Sequence, residues 1–435
     1  MRLPYIFALV LLFFSGSFAI DQAHAQSEAS VSQQLSQRAD DVLRLFQGEA
    51  IENEIFDENF RNAVPPEQFR AIVQQVVTQQ GQALEVTSIA QHSANSAIIK
   101  VRFEKSTGTI NIDLETAPPH RVSGLLLTGF EAGGNSLDEV IAAIDALPGR
   151  QGVLVQQLDR DDNPSLAALD PGGRYSIASS FKLYILAELD RAVRAGEHKW
   201  SDVVRLGPKS HPSGISQNWP DGSPATLHTL ATLMISISDN SATDTLIGVI
   251  GQDRLARIVR ATGHHNPDDL RPFLMTRQAS ALKMPEHASR RAQFLAASPA
   301  ERKKLLAGFD HILTLDSIDS RILTSEPNHI DQLEWFASPA DMVKLLAYLH
   351  RNASDETRAI LAINPGIGQD AARKWGYFGY KGGSEPGVLS YNFLLQSKTG
   401  KAYAVSVNWN NAQQSLQESE LLALASRLVN LLAEQ

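Results

Sequence analysis

A serine three residues ahead of a lysine is the first pair in this chain whose types and spacing could transfer an acyl group. Ser179-Ser180-Phe181-Lys182 opens the apolar run from Ile177 to Leu189. On a helix Lys182 shares a face with Ile185, Leu186 and Leu189, because residues three, four and seven apart stack on one side. A charged amine on such a stripe is costly unless it has a partner or a task. Desolvation lowers a lysine's pKa, and a lysine so lowered can take the proton of a serine hydroxyl, otherwise a weak nucleophile. At a helix start Ser179 also lies among free backbone N–H groups, where its own N–H can help to hold an oxyanion.

Two more stretches supply the rest of such a site. Ser238-Asp239-Asn240 separates two apolar helical runs in "TLHTLATLMISISDNSATDTLIGVIG", as a polar loop at a cleft wall would. There Ser238 can relay a proton to a leaving group and Asn240 can bind a substrate amide. Lys381-Gly382-Gly383 begins a Gly-rich strand whose backbone can come close to a ligand, and Lys381 offers a positive charge to a substrate carboxylate. Each string is common by itself. Ser280-Ala281-Leu282-Lys283 repeats the first and is read as chance. Ser93-Ala94-Asn95, Ser216-Gln217-Asn218 and Ser390-Tyr391-Asn392 repeat the spacing of the second. Lys398-Thr399-Gly400 falls in the turn between two strands and is assigned to a hairpin. Order, spacing and setting select the first set.

In that order the motifs resemble the SxxK, SDN and K[ST]G of class A serine β-lactamases and their penicillin-binding relatives. The resemblance extends over "PGGRYSIASSFKLYILAEL", "DGSPATLHTLATLMISISDNSATDTLI" and the closing strand pair, from about Leu137 to Gln435. It implies Ser179 as the acylated nucleophile, Lys182 as its proton acceptor, and Ser238 with Asn240 as the SDN pair. It further implies Lys381 as the carboxylate-side lysine, Gly383 and Ser384 on the substrate-binding strand, and the N–H groups of Ser179 and Ser384 as the oxyanion hole. No cofactor or metal is implied.

Two departures matter. Gly382 lacks the hydroxyl of the third motif, with Ser384 as the nearest replacement. Class A enzymes also carry a glutamate after SDN that activates the deacylating water. The matching stretch here, "GHHNPDDLRPFLMTRQASALK", has Asp268, Asp269 and Gln278 but no glutamate, and an added segment, Pro285 to Ile330, follows it. The expectation is therefore a serine hydrolase that forms an acyl-enzyme and hydrolyses a β-lactam, slowly at deacylation. A D-alanyl-D-alanine carboxypeptidase or esterase on the same fold, or a non-turnover penicillin- or peptidoglycan-binding protein, are the alternatives.

The elements that must position these residues fall into two regions. From 27 to 130 helices come first, "VSQQLSQRADDVLRLF" with Leu35, Ala39, Val42, Leu43 and Phe46 on one face, then "PPEQFRAIVQQVVTQQG". Four strand-like runs follow, with turns at Ser106-Thr107-Gly108 and Pro118-Pro119. This is a small α+β domain whose order resembles the ketosteroid-isomerase-like cone, read as an accessory or docking unit. "EAGGNS", 131 to 136, is the hinge. Residues 135–435 form the hydrolase-like domain: a helix near Leu137 to Leu147, the strand "GVLVQQLD", a turn-rich stretch, a mostly helical middle, two final strands and a closing amphipathic helix. Strands at both ends require one antiparallel sheet built from distant pieces, flanked by helices, so the fold class is α+β / α/β.

The remaining bounds are chemical. The 435 residues suffice for two domains. Arg2, the apolar run from Leu3 to about Ile20 and Ala23-His24-Ala25 have the layout of a signal peptide, residues 1–25, cleaved after Ala25. The expected location is periplasmic or secreted, with no stable membrane insertion afterwards. A formal charge of −9 without a basic cluster excludes nucleic acid as a partner. Absence of cysteine removes disulfides, thiolate chemistry and a lipid-anchored cysteine. No HExxH occurs, adjacent His264-His265 do not have zinc-ligand spacing, and there is no GxSxG. Trp335 and Trp375 are assigned to packing. The partner left is a small molecule, a β-lactam or a peptidoglycan-like substrate.

Overall fold

The computed structural model describes residues 33–132, 136–160 and 163–434. The expected signal peptide and the middle of the expected hinge lie outside them. Helix α1 (Gln33–Phe46) buries Leu35, Ala39, Val42 and Phe46 as its spacing requires, but Leu45 is buried where Leu43 is only partly so. Helix α2 (Pro66–Gln80) starts on proline and stops at Gly81, whose φ of +79° suits a residue without Cβ. Strands β1 (Ala83–Ser93), β2 (Ser96–Phe103), β3 (Ser106–Leu114) and β4 (Val122–Ala132) pair antiparallel in sequence order. Ser106, Thr107 and Gly108 belong to β3 rather than to a turn, because the chain reverses one step earlier, at Glu104 and Lys105. The helices cover this sheet with a core of its own, including Phe46, Phe69 and Phe103.

The second region is built on a five-stranded antiparallel sheet. Helix α3 (Leu137–Asp145) leads into β5 (Arg150–Gln157) and β6 (Ser165–Leu169), and β7 (Tyr377–Glu385), β8 (Val388–Gln396) and β9 (Ala402–Asn410) return late in the chain. The order is β7-β8-β9-β5-β6. Strand β6 lies in the stretch expected to be turns; its Ser-Leu-Ala-Ala-Leu is too short and too small to show a period, and pairing with β5 decides it. Residues Tyr403, Val405 and Val407 of β9 face the core shared with α3 and the closing helix, while Ala404 faces the other side. With both faces covered, even the polar residues Ser406 and Asn408 of β9 and Ser390 and Asn392 of β8 are buried.

The second face packs against helix α8 (Pro339–Asn352) and a mostly helical lobe. That lobe contains α4 (Lys182–Arg194), α5 (Leu227–Ser236), α6 (Asn240–Ile250) and α7 (Thr276–Leu282). The chain ends in α9 (Glu418–Ala433), which also touches β4 of the first region. Residues Lys182 to Asp190 of α4 are all buried, so this helix is a central post enclosed all round. Lys398-Thr399-Gly400 lies in the connection between β8 and β9. Among the described residues no helix is long and apolar enough to cross a membrane.

Candidate active site

Ser179 sits in a single 3₁₀ turn, Ala178–Phe181, that feeds α4. Ala178 has a φ of +40°, a left-handed conformation disfavoured for a residue with a Cβ, so packing must hold the turn. Part of that packing is Gly383 of β7. A Cβ there would stand 2.2 Å from Ile177 O and 2.7 Å from the nitrogens of both Ser179 and Ser180, so only glycine lets the strand close on the turn. From below, Asn392 Nδ2 on β8 donates to Ser180 Oγ at 2.9 Å. Phe181 stacks on Trp335 with ring centroids 3.9 Å apart.

Lys182 is fully buried, one turn after Ser179. Its Nζ lies 3.0 Å from Ser179 Oγ and 2.9 Å from Ser238 Oγ, and 2.7 Å from both Ser238 O and Asn240 Oδ1. The last two atoms can only accept, and Asn240 is oriented by donating Nδ2 to His211 O at 3.1 Å. A neutral amine has two N–H bonds and one lone pair. If the two acceptors take both hydrogens, the lone pair is left to the two hydroxyls. Burial, followed by the positive charge of Lys381, holds this amine well below the usual lysine range, against the opposing pull of Asp244 and Asp239.

Ser238 occupies the turn between α5 and α6 at a φ of +59°. Asp239 fixes that turn. Its carboxylate accepts from the N–H groups of Ile215 and Ser216 and of Ala242, each at 2.8 Å, and from Ser216 Oγ at 2.5 Å. Lys381 reaches the same point from β7, with Nζ 3.1 Å from Ser238 Oγ, and burial brings its pKa down to about 7. Ser179, Lys182, Ser238, Asn240 and Lys381 are thus brought together, with Gly383 against them and Ser384 beside them, its side chain exposed. All of these but the enclosed Lys182 line a cleft of about 320 Å³.

Several cleft residues were not singled out by the sequence. Lys283, Glu334 and Glu385 lie in its lining, as does Tyr380. Lys283 ends the Ser280-x-x-Lys283 segment read as chance, and Ser280 lines the cleft too. Its ammonium is buried and pairs with Glu334 and with Glu385 Oε2, the latter at 2.7 Å. Tyr380 Oη fills the space above Gly382, where a Cβ would meet it at 2.1 Å. The dismissed Ser216–Asn218 and Ser390–Asn392 strings brace Asp239 and Ser180 respectively. Trp335, assigned to packing, both packs and lines the cleft, whereas Trp375 packs edge-on against Tyr403.

The stretch that matches the glutamate-bearing loop of class A enzymes passes through a 3₁₀ turn, Pro267–Leu270, and ends in α7, which is capped from α6. Asp244 accepts from Thr276 N at 2.6 Å and Arg277 N at 3.0 Å. Asp268 pairs with Arg271 on the surface, Asp269 pairs with Arg174 in a separate pocket, and Gln278 Oε1 accepts from Met275 N. All three side chains are committed elsewhere.

A serine hydroxyl against a buried lysine, on a five-stranded antiparallel sheet with a helical lobe, is a serine-hydrolase arrangement of the β-lactamase fold. The chain belongs to the β-lactamase enzyme family, whose model matches residues 135–432. Among solved structures it is similar to a β-lactamase from Sphaerobacter thermophilus, at 22% identity and a TM-score of 0.47 over 68% of this chain and 94% of that one. It is also similar to an ancestral class A β-lactamase, at 17% identity and a TM-score of 0.48 over 68% and 98% of the two chains. A mutant of PBP-A, solved as its acyl-enzyme with penicillin G, is likewise similar at 17% identity, with a TM-score of 0.46 over 67% and 93%. No curated protein sequence matches it.

Proposed function

We propose that the protein hydrolyses a β-lactam through an acyl-enzyme on Ser179. The observation that carries this reading is the 3.0 Å approach of Ser179 Oγ to the Nζ of a buried, unpaired Lys182. Lys182 takes the hydroxyl proton as Oγ bonds to the substrate carbonyl carbon. The proton passes to Ser238 Oγ, 2.9 Å away, and from there to the nitrogen that leaves as the ring opens. The N–H groups of Ser179 and Ser384 receive the oxyanion, where preorganised donors act most strongly. Lys381 draws in the substrate carboxylate, Asn240 binds its amide, and Tyr380 Oη supplies the hydroxyl that Gly382 cannot. The first region acts as an accessory unit, and the protein works outside the cytoplasm after removal of its leader.

Intact-mass analysis after mixing with benzylpenicillin tests the reading. One acyl adduct at Ser179, lost in Ser179→Ala, is the expected result; no adduct, or one at Ser280 or Ser384, overturns it.

A further inference from the structure

Strand β7 presents Lys381, Gly383 and Glu385 on one face, since alternate residues of a strand point the same way. Gly383 is pressed on the Ser179 turn, so the two charged residues flank the nucleophile. Lys381 turns one way, to Ser238. Glu385 turns the other way, to Lys283 at the end of α7, whose ammonium also holds Glu334. Only Oε2 of Glu385 is engaged by Lys283; among the described residues no N–H or hydroxyl donates to Oε1, which is buried, although the side chain borders the cleft and stands against the Glu334 carboxyl. A buried carboxylate oxygen without a partner is costly to maintain. The acylation chemistry leaves Glu385, Glu334 and Lys283 unused, and it also lacks one group: a base for the water that must remove the acyl chain.

We infer that Glu385 is that base, held in place by Lys283 and Glu334. The inference rests on the acyl-serine reading above. Water donates a proton to Glu385 Oε1 as its oxygen bonds to the acyl carbon. The tetrahedral oxyanion then collapses, the bond from carbon to Ser179 Oγ breaks, and the proton returns from Glu385 through the cleft's water to Oγ. The acid leaves with both groups restored. The charged groups facing Glu385 are Glu334 and Lys283, with Lys381 on its own strand. Burial, then the negative charge of Glu334, hold its carboxyl well above the usual carboxylate range, with Lys283 opposing. Deacylation in the native protein therefore accelerates as pH rises, and acyl-enzyme accumulates under acidic conditions.

Benzylpenicillin added to the full chain, followed by mass spectrometry from pH 5 to 9, separates the steps. In Glu385→Gln acylation keeps its rate and one-to-one extent, which also shows an intact fold. Decay of the adduct falls by about 100-fold or more and loses its pH dependence, in line with the usual contribution of a positioned base. Glu385→Asp, which keeps a carboxylate, decays at an intermediate rate. Native decay in Glu385→Gln overturns the inference, and so does failure of both variants to acylate. If the native protein itself never acylates, the acyl-serine reading falls and this one with it.

Discussion

Two Ser-x-x-Lys segments, 179–182 and 280–283, end in buried lysines at one cleft, Lys283 in its lining and Lys182 bonded to the lining residues Ser179, Ser238 and Asn240, yet their electrostatics are opposite. Lys182 meets hydroxyls, a carbonyl and an amide oxygen, with another lysine nearby, and burial pushes its pKa down. Burial acts on Lys283 in the same direction, but Glu334 and Glu385 more than offset it and its pKa rises. Burial lowers both amines, and it prevails at Lys182, where no carboxylate pairs with the nitrogen, but not at Lys283, where two do. The same segment pattern gives a lysine of lowered pKa in one place and of raised pKa in the other.

Substitutions can break this contrast. The largest effect is expected for Ser179→Ala, which removes all covalent adduct, while Ser280→Ala acylates at the native rate; comparable loss at both positions would erase the distinction. Lys182→Arg keeps a charge but guanidinium cannot shed its proton, so acylation measured by stopped flow should fall by about 10²–10⁴-fold.

Stability should separate the lysines in the reverse sense. Lys283→Met strands two carboxylates, and breaking a buried pair in this way costs about 3–5 kcal/mol. Lys182→Met strands two neutral acceptors, Ser238 O and Asn240 Oδ1, rather than two charges, so it should unfold at a lower urea concentration than the native protein but a higher one than Lys283→Met.

A smaller effect sharpens the point through pH. The folded pKa of Lys381 is depressed to about 7, below its ordinary 10.5, so the unfolded chain binds the proton more tightly. Its contribution to stability is unfavourable at neutral pH and improves as pH climbs toward the unfolded value. Urea unfolding at pH 7 and pH 9 should show a steeper gain for the native protein than for Lys381→Met. The smallest change is expected for Tyr380→Phe, which keeps the ring over Gly382 and loses one hydroxyl contact. A few-fold rise in KM with little change in kcat fits the typical net value of about 0.5–1.5 kcal/mol for one hydrogen bond.

The residues that converge on Ser179 were legible because each sits at a local irregularity: a lysine on an apolar helical stripe, a polar triplet between two helices, a glycine pair that falls within a strand, β7, rather than at the start the sequence suggested. Such faults survive in one dimension, since periodicity is a property of neighbours along the chain. The helices of the first region, its four strands and the two closing strands were legible for the same reason. Strand β6 was not, because its pairing with β5 rather than its own pattern makes it a strand.

What the chain order by itself determined, then, was which side chains converge on Ser179 and the sheet assembled from its two ends. Only the tertiary structure decided what the decoys do. Ser216 braces Asp239, Asn392 anchors the Ser179 turn, and Lys283 joins Glu334 and Glu385 across separations of 51 and 102 residues. A carboxylate's role depends on which charges and which cleft lie within a few ångströms of it, because Coulomb energies fall with distance and rise where water is excluded. Those distances exist only once β7 has closed on α7 and the turn at Ser179.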